Sequence, residues 1–245
     1  MRSRPAPPAE HAAPAGDRHP LDPGLAQHYL DSLLAYMGGL VARRRVEPTG
    51  DLLSAMVRAR DDNVDRLTEQ ELVTLAAGLL AAGHETTVTQ IPNMVYVLLT
   101  TPGAGDTLRD RPELVPVAVE ELMRFIPLGA TAAFPRYATE DVELGGVLVR
   151  AGEPAVVNIA AANRDDTVFT DADRLDLTRQ VNPHLGFGHG VHHCVGAQLA
   201  RMELRVVLET LLDRAPGLRL AVPVEEPTWK SGLLVRGLVA MPVAW

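Results

Sequence analysis

Phe187-Gly188-His189-Gly190-Val191-His192-His193-Cys194-Val195-Gly196 contains the only cysteine of a 245-residue chain. Three glycines, three histidines and a phenylalanine crowd one thiol. A Gly-rich, cationic setting favours the thiolate over an inert buried thiol. The glycines let backbone approach something flat and large. A helical pattern follows at once, from about Gly196 to Arg214. The sulfur then lies near a helix N-terminus, where partial positive charge favours an anion. The stretch reads as a metal-bound thiolate, set against the plainer reading of a packed cysteine in a turn.

The chain around it is globular in composition, with 47% hydrophobic and 22% charged residues. A net charge of -8 argues against a nucleic-acid partner. One cysteine excludes an intrachain disulfide and suits a reducing, cytoplasmic setting. The longest apolar stretch, Leu72 to Ala82, is too short to span a bilayer. Residues 1–24 are rich in Pro and Ala and read as a disordered leader ahead of a domain over 25–245.

Helical spacing runs from Leu25 to Arg45, and Asp51 is placed to cap a short helix through Arg60. Thr68-Glu69-Gln70-Glu71 is a capping box. It opens a long helix to about Leu99, apolar almost all round and so expected to cross the middle of the fold, with a kink at Pro92. Short helices are expected at Ala104 to Asp110 and Val115 to Phe125. Gly145-Gly146 marks a hairpin, and Glu153 to Ala160 contains a further strand. The expected class is mainly α with small β regions.

Two more motifs carry chemistry. Ala82-Gly83-His84-Glu85-Thr86-Thr87 sits within the long helix. An acid and a hydroxyl in an apolar helix are costly unless used. Thr86 can bond back to the carbonyl four residues earlier, and small Ala82 and Gly83 leave room for a planar cofactor. Glu85 and Thr86 then read as a proton relay, against a solvated helix turn with a chance acid. Glu121 and Arg124 share a helix face and can pair; alone, they read as an ordinary surface pair. In the cysteine loop, ligation of haem iron asks for an exposed turn with small residues, which Gly188, Gly190 and Gly196 supply, and for backbone donors near the sulfur. His192 is placed to meet a propionate at the rim.

In this order the three motifs resemble the cytochrome P-450 superfamily of haem-thiolate monooxygenases, in its soluble bacterial branch. The resemblance implies that Cys194 is the proximal iron ligand, with Phe187, Gly190 and Gly196 in its signature. It implies that Ala82, Gly83, Glu85 and Thr86 form the oxygen-activating stretch, and that Glu121 and Arg124 are a structural pair, with Arg179 near it. Arg136 and His192 look like propionate contacts; Ala82, Phe187, Gly188 and Gly196 look like haem neighbours. Haem b (iron protoporphyrin IX) is the implied cofactor. A small apolar substrate, dioxygen and a ferredoxin-type electron donor are the implied partners. Pocket walls are expected from Leu79, Ala82, Leu128 to Ala130, Leu233 and Leu234. Arg201 and Arg205 read as solvated arginines, with an acidic partner as the alternative.

The implied fold is the C-terminal part of that architecture: long central helix, Glu-x-x-Arg helix, ligand loop and following helix. Members of the family are much longer, and the segment ending at Arg43-Arg44-Arg45 looks like one well inside a complete member. The expected consequence is a distal pocket short of its roof, with weak haem retention and poor coupling. A non-catalytic haem-binding subunit and an inactive fragment stand beside the monooxygenase reading.

Overall fold

Thr68 and Glu71 satisfy each other's backbone donors at the start of the longest helix. Glu71 N–H donates to Thr68 Oγ1 at 3.2 Å and Thr68 N–H to Glu71 Oε2 at 2.7 Å. The capping box read from the sequence therefore forms, and the helix it opens runs without interruption through Pro92 to Thr100. The structure is a computed structural model, which describes residues 23–63, 67–129, 135–231 and 234–245. Nearly all of the expected leader lies outside the described residues.

Seven α-helices are described: α1 (Pro23–Val46), α2 (Leu52–Asp61), α3 (Glu69–Thr100), α4 (Ala104–Asp110), α5 (Val115–Phe125), α6 (Ile159–Ala162) and α7 (Ala197–Arg214). Three small antiparallel pairs accompany them. They are β1 (Arg136–Tyr137) with β4 (Pro154–Ala155), β2 (Val142–Leu144) with β3 (Val147–Val149), and β5 (Arg219–Leu220) with β6 (Val243–Ala244). The mainly helical class is as expected. The strand sought in Glu153 to Ala160 is only the two residues of β4, and its second half turns into α6 instead. Asn158 explains the switch: its side chain accepts from Ala161 N–H and caps that turn.

The chain divides into two compact units, Met1–Leu80 and Ala81–Trp245. In the first, Met37 and Val41 of α1 pack with Val57 of α2 and with Leu72, Val73, Ala76 and Ala77 of α3. Asp51 caps α2 by accepting from Ser54 N–H at 2.8 Å. Arg45 forks onto both Asp61 and Glu69, so the cation cluster at the end of α1 is used in ion pairs. In the second, Met94 and Leu98 of α3 join Leu108 of α4, Val115, Ala118, Val119 and Leu122 of α5, and Leu204 and Leu208 of α7. Burying such aliphatic side chains stabilises the fold by about 1.5–3 kcal/mol each.

The middle of α3 departs from expectation. Leu80 to Thr86 is exposed, although the same helix is buried in the turns before and after. Burial follows the elements that pack on each end: α1 and α2 in the first unit, and α4, α5 and α7 in the second. Apolar character all round the helix did not by itself place its middle inside the fold.

Candidate functional site

α5 places Glu121 and Arg124 on one face, and both side chains are fully buried, not a surface pair. Arg124 Nε donates to Glu121 Oε2 and Nη2 to Oε1, both at 2.8 Å. Its remaining donors go to backbone: Nη1 to the carbonyls of Asn163 at 2.8 Å and Ala172 at 2.7 Å, and Nη2 to that of Arg174 at 3.2 Å. Glu121 in turn accepts from Asp176 N–H at 2.8 Å, Arg179 Nε at 3.1 Å and Asn182 Nδ2 at 3.1 Å. Arg124 also lies 5.1 Å from the centre of the Phe169 ring. A buried pair is tolerated when its other lone pairs and protons are satisfied, and here they fasten an irregular segment that has no ladder of its own. Arg179 joins the pair as the resemblance implied.

That segment leads into the ligand loop. Gly188 and Gly190 adopt positive φ (73° and 68°), a conformation that other residues take only with strain. Cys194 N–H donates to Phe187 O at 2.8 Å and closes the turn, and His193 N–H donates to Gly190 O at 3.0 Å. Ala197 N–H, opening α7, donates to the Cys194 carbonyl at 3.2 Å. Phe187 is buried, whereas Cys194 is an exposed free thiol. His192 is exposed, and Gly196 half-buried, as α7 begins. The sulfur is thus presented from a rigid turn whose ring anchor points inward. Val191 and Val195 beside it are 98% and 89% exposed, an apolar rim that suits a large flat ligand.

On α3, Thr86 Oγ1 donates to the Ala82 carbonyl at 2.7 Å, the back-bond its position predicts. Glu85 accepts from Thr89 Oγ1 at 3.3 Å and lies 3.7 Å from Lys230 Nζ. Glu85, Thr86, Ala82 and Gly83 are all exposed. Gly83, Thr87, Val88 and Ile91 of α3 face Met202 and Val206 of α7 across an open cleft of about 420 Å³. Of the expected pocket walls, Leu128 is half-buried, and its carbonyl accepts from Arg236 N–H at 2.7 Å. Leu234 is exposed; Ala130 and Leu233 lie outside the described residues. Arg136 is exposed at the start of β1.

Arg201 is not a solvated arginine. It forks onto Glu120 through Nε at 2.7 Å and Nη2 at 2.9 Å and lies 4.4 Å from the centre of the Phe187 ring. Glu120 also meets His184 Nε2 at 3.0 Å. Burial opposes the Glu120 charge, but hydrogen bonds from His184 and Arg201 outweigh it and hold its carboxyl down at about 2. Sequence reading overlooked Glu120 and His184, although His184 precedes the loop and Glu120 adjoins Glu121. Among the described residues, Arg205 pairs with its helix neighbour Glu209, 3.6 Å away.

A helical chain whose buried Glu-x-x-Arg pair fastens the segment leading to a loop that carries one exposed free cysteine has the makings of a haem-thiolate protein. The chain belongs to the cytochrome P-450 family, which it matches over residues 40–215. It is 58% identical over 219 residues to mycinamicin IV hydroxylase/epoxidase of Micromonospora griseorubida, covering 89% of this chain and 55% of that one. It is 59% identical over 214 residues to nocardicin C N-oxygenase of Nocardia uniformis subsp. tsuyamanensis, covering 87% and 53%. The solved LnmA cytochrome P-450 hydroxylase of Streptomyces atroolivaceus superposes with a TM-score of 0.85 at 55% identity, over 91% of this chain and 57% of that one. The chain therefore spans about half the length of the relatives it matches. Family membership implies haem. The exposed free thiol, the positive-φ glycines beside it and the apolar rim of Val191 and Val195 fit that group. No helix among the described residues is long and apolar enough to cross a membrane.

Proposed function

We propose that the chain is the iron-ligating part of a haem-thiolate monooxygenase that oxygenates a small apolar molecule. Cys194 would hold haem b through its sulfur, with Ala82, Phe187, Gly188 and Gly196 as close neighbours and Arg136 and His192 as hydrogen-bond donors to its carboxylates. Bound haem would supply dioxygen activation, with electrons from a ferredoxin-type donor. The residues of α3 handle protons. Glu85 is 51% exposed, so its carboxylate can take a proton from water. Thr86 Oγ1 is a hydroxyl one residue away, oriented by its bond to the Ala82 carbonyl. Together they would pass protons from solvent towards the cofactor face. A single uncombined thiol suits a reducing compartment, which supports a cytoplasmic location as part of this proposal.

The observation that carries this reading is the exposed thiol on a turn that the buried Glu121–Arg124 network braces. The relatives' names, a hydroxylase/epoxidase and an N-oxygenase, support oxygen insertion as the reaction class. The test is the spectrum of the haem-loaded chain reduced under carbon monoxide. A strongly red-shifted Soret band, abolished in Cys194→Ala, supports the proposal; a band that survives the substitution overturns the ligand. The exposed apolar side chains Val88, Leu199, Met202 and Val206 favour a second reading, a non-catalytic haem-binding subunit that docks on a partner. A shifted band with no turnover would favour that reading, and a chain that takes up no haem would be an inactive fragment.

A further inference from the structure

Glu120 and Glu121 are neighbours on α5 and serve different purposes. Successive helix residues point about 100° apart, so the two carboxylates face different partners. Glu121 is absorbed in the Arg124 network. Glu120 instead fastens the two chain segments that flank the ligand loop. On the incoming side it pairs with His184 Nε2 at 3.0 Å. His184 Nδ1 accepts from Gly186 N–H at 3.0 Å, which puts the ring proton on Nε2, aimed at the carboxylate. On the outgoing side the same carboxylate takes the two-pronged bond from Arg201, on α7.

The clamp reaches the cysteine through Phe187. The Arg201 guanidinium lies over that ring, and the Phe187 carbonyl receives the Cys194 amide. There is little slack at the start of the loop: a Cβ at Gly186 would come within 2.9 Å of His184 Nδ1 and 3.0 Å of the Met123 carbonyl. Arg201 is also within electrostatic reach of Cys194, an attraction smaller than its hydrogen bonds to Glu120.

We propose that Glu120 is the positioning residue of the ligand loop, holding the Cys194 thiolate in place through Arg201, Phe187 and His184. The Arg201 charge is balanced by the carboxylate. Without it the guanidinium is free to leave the ring and turn towards the sulfur. Phe187 then loses its cover and the Cys194 amide its fixed acceptor.

The proposal rests on Cys194 as the ligand, but a haem-free measurement tests it separately. The Cys194 thiol is exposed with the loop closed, but its amide is bonded to the Phe187 carbonyl at 2.8 Å and exchanges its proton only when the loop opens. Loss of a charge-assisted hydrogen bond corresponds to roughly tenfold in an opening equilibrium. In amide hydrogen exchange of the full haem-free chain, Glu120→Gln is expected to exchange at Cys194 about tenfold faster than the parent, with Glu209→Gln, on the exposed face of α7, unchanged. In the haem-loaded chain, Glu120→Gln should move part of the reduced carbon monoxide band to the unshifted position. Arg201→Lys keeps the charge but loses the fork and the stacking, and should show the same two changes; it decides the matter if Glu120→Gln does not fold. Parent-like exchange at Cys194 in folded Glu120→Gln or Arg201→Lys overturns the proposal. A parent chain without the shifted band would overturn the ligand assignment and leave the exchange result standing.

Discussion

Two acidic residues in this molecule each sit on a helix, next to a motif partner, and differ in almost everything else. Glu121 is fully buried and accepts from Arg124, Asp176, Arg179 and Asn182. Glu85 is 51% exposed, with a bond from Thr89 at 3.3 Å and Lys230 at 3.7 Å. The first carboxylate is part of the scaffold, because its charge is tolerated in a dry interior only through those partners together. The second is half-exposed and open to water. Two carboxylates on helices of one chain have been given opposite environments. The side that carries the cysteine closes on its own hydrogen bonds, while the middle of α3 remains open.

The comparison breaks most severely at Arg124. Arg124→Ala takes the two-pronged partner from the Glu121 carboxylate, leaving Arg179 to balance it through one bond, and releases the carbonyls of Asn163, Ala172 and Arg174. Deleting one partner of a buried pair costs about 3–5 kcal/mol, a large share of the 5–15 kcal/mol typical of a domain. The variant is expected to lose its cooperative thermal transition in circular dichroism. A transition within a few degrees of the parent would mean that the network is dispensable.

Acid should attack the same side next. The Glu120 carboxyl is shifted from 4.5 to about 2 in the folded chain. A depressed carboxyl makes the unfolded state bind more protons, so the stability it contributes is intact above about pH 4.5 and is lost as pH falls towards 2. With the side chain 27% exposed, a contribution of about 2 kcal/mol is expected. Urea midpoints measured from pH 6 down to pH 3 should fall more steeply in the parent than in Glu120→Gln. Parallel slopes would count against the pairing.

On the α3 side the tightest fit lies at Gly237. A Cβ there would stand 2.4 Å from Thr89 Cγ2, inside any tolerated contact. The adjoining segment is also tied to α3 through Asn93 Nδ2 and the Arg236 carbonyl at 2.8 Å. Gly237→Ala should cost about 1–2 kcal/mol by overpacking. Thr89→Ser, which removes the clashing methyl, should restore most of the melting temperature in the double variant. An additive double variant would show that the two residues do not meet.

Much of this was legible locally. The bounds of α4 and α5, the Thr68–Glu71 box, the Asp51 cap and the Thr86 back-bond all follow from residues within four positions of each other. The cysteine loop and the Glu121–Arg124 spacing could be read for the same reason. What could not be read is long-range. Glu120 meets His184 and Arg201 across 64 and 81 positions, and no periodicity announces such a meeting. The exposure of the middle of α3 was missed because an apolar helix records that it can be covered, not what covers it. The spacing of Glu121 and Arg124 alone did not show their burial, because a pair three residues apart looks alike on a surface and in a core; only the resemblance marked it as structural, and the partners that decide it lie on the 163–182 segment.

The gentlest test concerns Lys230, the only lysine in the chain and the basic partner of Glu85. Its Nζ lies 3.7 Å from Glu85 Oε1, and its side chain is 30% exposed. Exposed pairs of this kind contribute about 0–1 kcal/mol, because water screens the attraction and two long side chains must be ordered. Lys230→Ala should therefore move the melting temperature by no more than about 4 °C. Nearly all of that shift should vanish at 0.5 M salt, where screening shortens the reach of surface charges. Such indifference is what a solvent-screened pair predicts, in contrast to the desolvated Glu121–Arg124 pair. A loss approaching that of Arg124→Ala would mean that Glu85 belongs to the scaffold after all, and the contrast between the two acids would collapse.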